Sequence, residues 1–253
     1  MPRIRLLASA LLLPLFATPA TAQDADPLPL PRLEGPVELD GLSDEPAWEA
    51  IPPLPLVTLE PTFGAVPSEA TEIRMAYDDD YIYASLRAYD SDPSGIRLNT
   101  LYRDRYSGDD LFVVFLDTFN DNETGVSFTI NPAGSRRDAA TSRDGENPLN
   151  ADYNTFWDTR TTISERGWVA EVRIPFSSLR FQDDDGRVVM GMTVSRLIAR
   201  KNERITFPAF PASANRAYTK PSLARTVVRE GVYARKPLHA TPYLLGGVRR
   251  SYD

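Results

Sequence analysis

The sequence predicts an all-β protein, an antiparallel β-sandwich, and three observations predict it. Apolar and polar residues alternate with period two through much of the stretch from 37 to 228. Polar connectors of hairpin length separate the alternating runs. Proline, abundant at 22 residues, does not occur between Ser94 and Asn131, where a central strand could least tolerate a missing backbone donor.

Along the chain, Arg3 and Arg5 precede an apolar run from Leu6 to Ala17 and the small-residue site Ala20-Thr21-Ala22. This is the pattern of a secretory signal, with cleavage expected after Ala22. The run is shorter than the roughly 20 residues a spanning helix needs. Residues 23–36, with Pro27, Pro29, Pro31 and Pro36, read as an extended linker. The folded domain is expected over 37–235. It opens with Ser43-Asp44-Glu45-Pro46, which can cap one helical turn carrying Trp48.

Ile73, Met75 and Tyr77 form the first alternating row, and Ile82, Ala84, Leu86 and Ala88 the second, across the turn Asp78-Asp79-Asp80. Leu111 to Leu116 is apolar at every position and Val188 to Val194 nearly so, as strands buried on both faces require. Val126, Phe128 and Ile130 follow a connector at 120–125. Trp168, Ala170, Val172 and Ile174 follow the turn Glu165-Arg166-Gly167, and Phe176 to Leu179 can form a further helical turn. Trp48 and Trp168 are expected in the core.

Composition narrows the function. A formal charge of -7 is unlike a nucleic-acid binder. With no cysteine, the chain has no disulfide, zinc-thiolate site or Cys nucleophile, and with His239 as its single histidine it cannot carry an HExxH metal site. It contains no Gly-x-Ser-x-Gly elbow, P-loop or Rossmann fingerprint, and no catalytic residue is assigned.

Residues 37–48, 77–83 and 108–117, the Asn131-Pro132-Ala133-Gly134 turn and residues 167–176 form an ordered series. It resembles the family 9 carbohydrate-binding modules, in particular those at the N-terminus of bacterial proteins that continue into an uncharacterised outer-membrane barrel-like region. The resemblance spans about residues 31 to 235. It implies a jelly-roll-like sandwich, structural calcium and a sugar held between aromatic rings, and residues 236–253 look like the entry into the barrel region. The expected protein is an exported, monomeric, non-catalytic module that binds carbohydrate, in the periplasm, at the outer membrane or outside the cell. A protein-interaction domain of a barrel protein that no longer binds sugar, and a module tied to glycoside hydrolysis in carbohydrate catabolism, are the alternatives.

Sugar recognition needs a flat apolar ring beside hydrogen-bonding groups. Trp157, with Tyr153 and Phe156 in a polar stretch, is the expected platform, and the alternative is a hydrophobe covering the loop. The second ring is expected from Tyr102, Tyr106, Tyr153 or Phe156. Arg103, Asp104 and Arg137 supply guanidinium and carboxylate contacts, or else surface ion pairs. For calcium, Asp117, Asn120, Asp121 and Glu123 offer several oxygens within one hairpin loop.

Overall fold

The computed structural model describes residues 26–211 and 217–234, and its strands form two sheets. In chain order these strands are β1 (Leu28–Pro29), β2 (Val57–Glu60), β3 (Thr71–Tyr77), β4 (Tyr81–Tyr89), β5 (Leu111–Asp117), β6 (Gly125–Ile130), β7 (Arg136–Thr141), β8 (Asp158–Ser164), β9 (Gly167–Pro175), β10 (Val188–Ile198), β11 (Glu203–Phe207) and β12 (Arg225–Arg229). The smaller sheet has the order β3-β4-β9-β8. The larger runs β1-β12-β10-β5-β6-β7, with β11 and β2 branching from β10. Every pairing is antiparallel except β1 with β12.

The alternation in the sequence becomes the two inner faces. Ile73, Met75 and Tyr77 pack beside Ile82, Ala84 and Leu86, and these beside Ala170, Val172 and Ile174 of β9. Opposite them, Phe112, Val114 and Leu116 stand in register with Ile130, Phe128 and Val126, and Val114 with Val194. Side chains directly opposite across antiparallel strands share a face, so one apolar row per strand gives a continuous buried layer. Trp168 lies in that layer. The turns are hydrogen-bonded as their residue types suggest: Asp78 Oδ1 accepts from the N–H of Asp80 at 2.8 Å and of Tyr81 at 2.7 Å.

Trp48 is also buried, but in a second cluster on the outer face of the smaller sheet, with Leu33, Ala47, Ile51, Ala76 and Tyr83. Its helical turn, α1 (Pro46–Glu49), has proline in the first turn as expected, yet the capping residue is Glu45 and no side chain caps it. Ser43 bonds instead to Ser85 across the sheet. Glu171, on the outward row of β9, fastens the segment before α1. Its carboxylate accepts from the N–H of Asp40 at 3.1 Å and Gly41 at 2.7 Å, and from the Trp48 indole at 3.2 Å. Burial raises the Glu171 carboxyl above its ordinary range, against the lowering effect of the Gly41 N–H.

At one end of the sandwich, buried Arg196 of β10 crosses to the smaller sheet, donating to Thr71 Oγ1 at 2.7 Å and to the carbonyl of Tyr89 at 2.9 Å. Asp90 pairs there with Arg196 and Arg200, and Glu69 with Arg200 and Lys201. Burial by itself would raise the Glu69 carboxyl, but hydrogen bonds from Lys201 and Ser91 bring it down to about 2.

The proline-rich stretch corrects one expectation. From Asp26 onward it is bound to the domain: β1 pairs with β12, Leu30 and Leu33 are buried, and the Leu33 N–H donates to the Tyr77 carbonyl at 2.8 Å. Leucines between the prolines supply the apolar contacts. The expected signal segment and the tail beyond residue 235 lie outside the described residues. Among the described residues no helix is long and apolar enough to cross a membrane.

Candidate functional site

The most organised surface feature lies in the loop before β5. Asp109, buried at the foot of that strand, caps it from inside: Oδ1 accepts from the Asn99 N–H and Oδ2 from the Ser107 N–H at 3.3 Å. Asn99 Nδ2 closes the neck by donating to the Ser107 carbonyl at 2.8 Å. Asn131, the first residue of the Asn-Pro-Ala-Gly turn, is fully buried and donates from Nδ2 to the Thr100 carbonyl at 2.7 Å. Ser135 Oγ donates to the Tyr102 carbonyl at 2.7 Å. Asp104 and Gly108 take left-handed backbone angles, φ 64° and 69°, that let the loop fold back on itself. The loop is therefore held by side chains that cost little to keep ordered when a ligand binds.

Asn99, Tyr102, Asp104, Arg105, Tyr106 and Arg137 line a concavity of about 840 Å³ on this loop. The Tyr102 ring is 76% exposed although its backbone is tied down. Tyr106 is partly buried, and its hydroxyl donates to the Thr129 carbonyl at 3.0 Å. Burial raises the Tyr106 hydroxyl well above its ordinary range, outweighing the nearby Arg137 cation. The Arg137 guanidinium lies over the Tyr106 ring, 5.9 Å from its centre.

Arg103 divides this concavity from a second one. Its Nη2 donates to Asp138 and, at 2.7 Å, to Asn154 Oδ1, and its Nε lies 3.5 Å from Asp104. Asp138 also accepts from the Thr155 N–H at 2.6 Å, so its carboxylate is spent on fixing two loops. Beyond the bridge, Tyr153 and Phe156 line a groove of about 1190 Å³ with Phe119, Leu179, Phe181 and Asp183. The predicted residues thus separate into Tyr102, Asp104 and Arg137 on one side, Tyr153 and Phe156 on the other, and Arg103 as the divider.

Trp157 is a correction. It was expected to offer its ring from a loop, but it is 2% exposed and packs edge-on against Phe128 in the sandwich core, with ring centres 5.2 Å apart. The Arg136 guanidinium covers it at 5.6 Å and donates to its carbonyl. Phe156, its neighbour, points outward and is 87% exposed.

The expected calcium residues do not fit an ion. Asp117 is buried and its two oxygens accept from the N–H groups of Asp121 at 3.1 Å and Asn122 at 2.9 Å. Asp121 Oδ1 accepts from Glu123 and Thr124, and its Oδ2 from the Thr124 hydroxyl. Asn120 and Asn122 take φ of 51° and 61° in the same turn. These carboxylates are turn caps, and among the described residues no group of three or more His, Cys, Asp or Glu side chains is placed to hold a metal. Burial raises the Asp117 carboxyl above its ordinary range, against the lowering effect of the Asn122 and Asp121 N–H groups.

Arg105 and Asn99 were not anticipated from sequence. For Asn99 the signal was Asp109 before a fully apolar strand, since a buried acid at a strand entry needs backbone donors, and the preceding loop supplies the N–H groups of Asn99 and Ser107.

A model of the family described as carbohydrate family 9 binding domain-like matches residues 39–230. No curated protein matches the sequence. Among solved structures, the chain is similar to a family 9 carbohydrate binding module from Caldicellulosiruptor kristjanssonii in complex with cellotriose, at 18% identity and a TM-score of 0.54 over 86% of this chain and 99% of that one. It is also similar to a family 9 module from the same organism in complex with glucose, at 17% identity and a TM-score of 0.52 over 83% and 97%. Both likenesses are of fold. The family match covers most of the sequence, and the chain belongs to the carbohydrate family 9 binding domain-like family.

Proposed function

We propose that this domain binds carbohydrate in the concavity formed by the 99–107 loop and Arg137, without catalysing its cleavage. The observation that carries the reading is a pre-organised loop whose one freely exposed ring, Tyr102, stands among Asn99, Asp104, Arg105 and Arg137. A pyranose offers a C–H face that stacks on such a ring and hydroxyls that bond to such donors and acceptors. Family membership and the cellotriose- and glucose-bound modules of similar fold support the same ligand class.

Two-carboxylate glycoside hydrolysis needs a pair of acids about 5 to 10 Å apart. One carboxylate, Asp104, lines the loop concavity and one, Asp183, the neighbouring groove, while Glu171 is a buried anchor on the far sheet. These features favour binding over hydrolysis. The charged start, apolar run and small-residue site of the first 22 residues support an exported protein, and the tail's likeness to a barrel entry supports a place at the outer membrane. A glycan array probed with the full chain and with Tyr102→Ala tests the reading. Binding that Tyr102→Ala abolishes is expected, and a blank array for the unaltered chain would overturn it in favour of an interaction domain.

A further inference from the structure

We infer that the ligand of this concavity is an acidic glycan, one carrying a carboxylate on the sugar, and this inference rests on the carbohydrate reading above. Two guanidiniums, Arg105 and Arg137, line the concavity, and neither pairs with a carboxylate among the described residues. The other cations nearby are committed: Arg103 to Asp138, Asn154 and Asp104, and Arg136 to the Trp157 carbonyl and, at 3.9 Å, to Asp158. The acids facing the loop are committed as well. Asp104 lies 3.5 Å from Arg103 Nε, Asp109 caps the loop from within, and Asp138 is buried beneath Arg103.

What remains for an incoming group is positive charge on a protein of net charge -7. Arg137 is aimed as well as unpaired. It is steadied over the Tyr106 ring while lining the concavity. The planar fork matches a carboxylate with two parallel N–H bonds, a match that a neutral hydroxyl cannot offer. Tyr102 would take the sugar face, Arg137 and Arg105 the acid, and Asn99 the hydroxyls.

The test is an array and titration with the full chain in which each neutral oligosaccharide is matched to its uronic-acid counterpart, with cellobiose against cellobiouronic acid as the calorimetric pair and sulfated glycans as a third arm. Expected are hits on carboxylate-bearing members, weakened by added salt. Arg137→Gln should lower affinity for those members by about tenfold or more, the value of a charge-assisted bond, and so narrow or erase their advantage over the neutral partners. Because Arg137 is half-buried, the exposed Arg105→Gln variant is measured beside it and should show the same selective loss. Equal or tighter binding of the neutral partners, or hits confined to sulfated members, overturns the carboxylate preference and leaves the carbohydrate reading standing. An array blank in every arm overturns both.

Discussion

Replacing Trp157 with alanine separates a core ring from a ligand platform. The ring is 2% exposed, sits edge-on to Phe128 at 5.2 Å, and is capped by Arg136 at 5.6 Å. Emptying a core site of a large aromatic costs about 3 to 5 kcal/mol. The aromatic pair contributes about 0.5 to 1.5 kcal/mol beyond its area. Against this, the indole N–H is buried without a partner, and that penalty disappears with the ring. The expected loss is therefore near the lower end, about 3 kcal/mol, or a midpoint lowered by roughly 6 to 12 °C in a domain of this size. Urea unfolding followed by tryptophan fluorescence and circular dichroism measures it. Phe156→Ala, at an 87% exposed position, should stay within about 0.5 kcal/mol of the unaltered chain. Trp157→Phe, which keeps an apolar ring and sheds the unpartnered N–H, should cost less than the alanine variant. A Trp157→Ala protein within about 1 kcal/mol of the unaltered chain, well under the core range, would refute the burial argument and return that ring to the surface.

Three further outcomes are expected. Glu171→Ala strips a buried acceptor from two backbone N–H groups and the Trp48 indole, so it should destabilise the domain by about 2 to 4 kcal/mol and speed exchange of the 40–41 amides. Glu69, held down to about 2 from an ordinary 4.5, contributes stability that is full above about 4.5 and is lost as pH falls through about 2. Asp110, raised by burial, works in the opposite sense, its contribution being present at low pH and lost as pH rises through its raised value. A Glu69→Gln variant should consequently lie well below the unaltered chain at pH 7 and approach it near pH 2, and a constant gap across that range would discard the pairing. Calcium should leave the melting midpoint unmoved, since the hairpin carboxylates are already bonded to backbone N–H groups. A midpoint that rises with calcium and falls with chelator would restore the ion.

The fold was legible wherever one face of a strand is buried and the other is not. Ile73, Met75 and Tyr77, or Trp168, Ala170, Val172 and Ile174, announce their faces because a shift of one residue would turn the whole row to solvent. Trp157 was misread through its polar neighbours, although the parity was present. It precedes Thr159, Thr161 and Ile163 by even steps, and those residues stand opposite Val172, Ala170 and Trp168 of the inner row. The loop residues Tyr102, Asp104 and Arg137, which the structure places around one concavity, were singled out by chemical type alone. Their scaffold was not, because Asn131 reaches a carbonyl 31 residues away and Arg103 an amide 51 residues away, and no local pattern encodes such pairs. The acidic hairpin illustrates the converse: Asp and Asn serve turns and ions with the same oxygens, and only the positions of the N–H groups distinguish the two uses.

Hydrogen–deuterium exchange of the full chain with and without the best array glycan tests the central claim most directly, because it reports which of the two concavities the ligand covers. Slowed exchange at residues 99–107 and 136–138, with the groove around Phe119, Tyr153 and Phe156 unchanged, is the predicted result. Protection confined to 118–119, 153–156 and 177–181 would contradict it and move the site across the Arg103 divider.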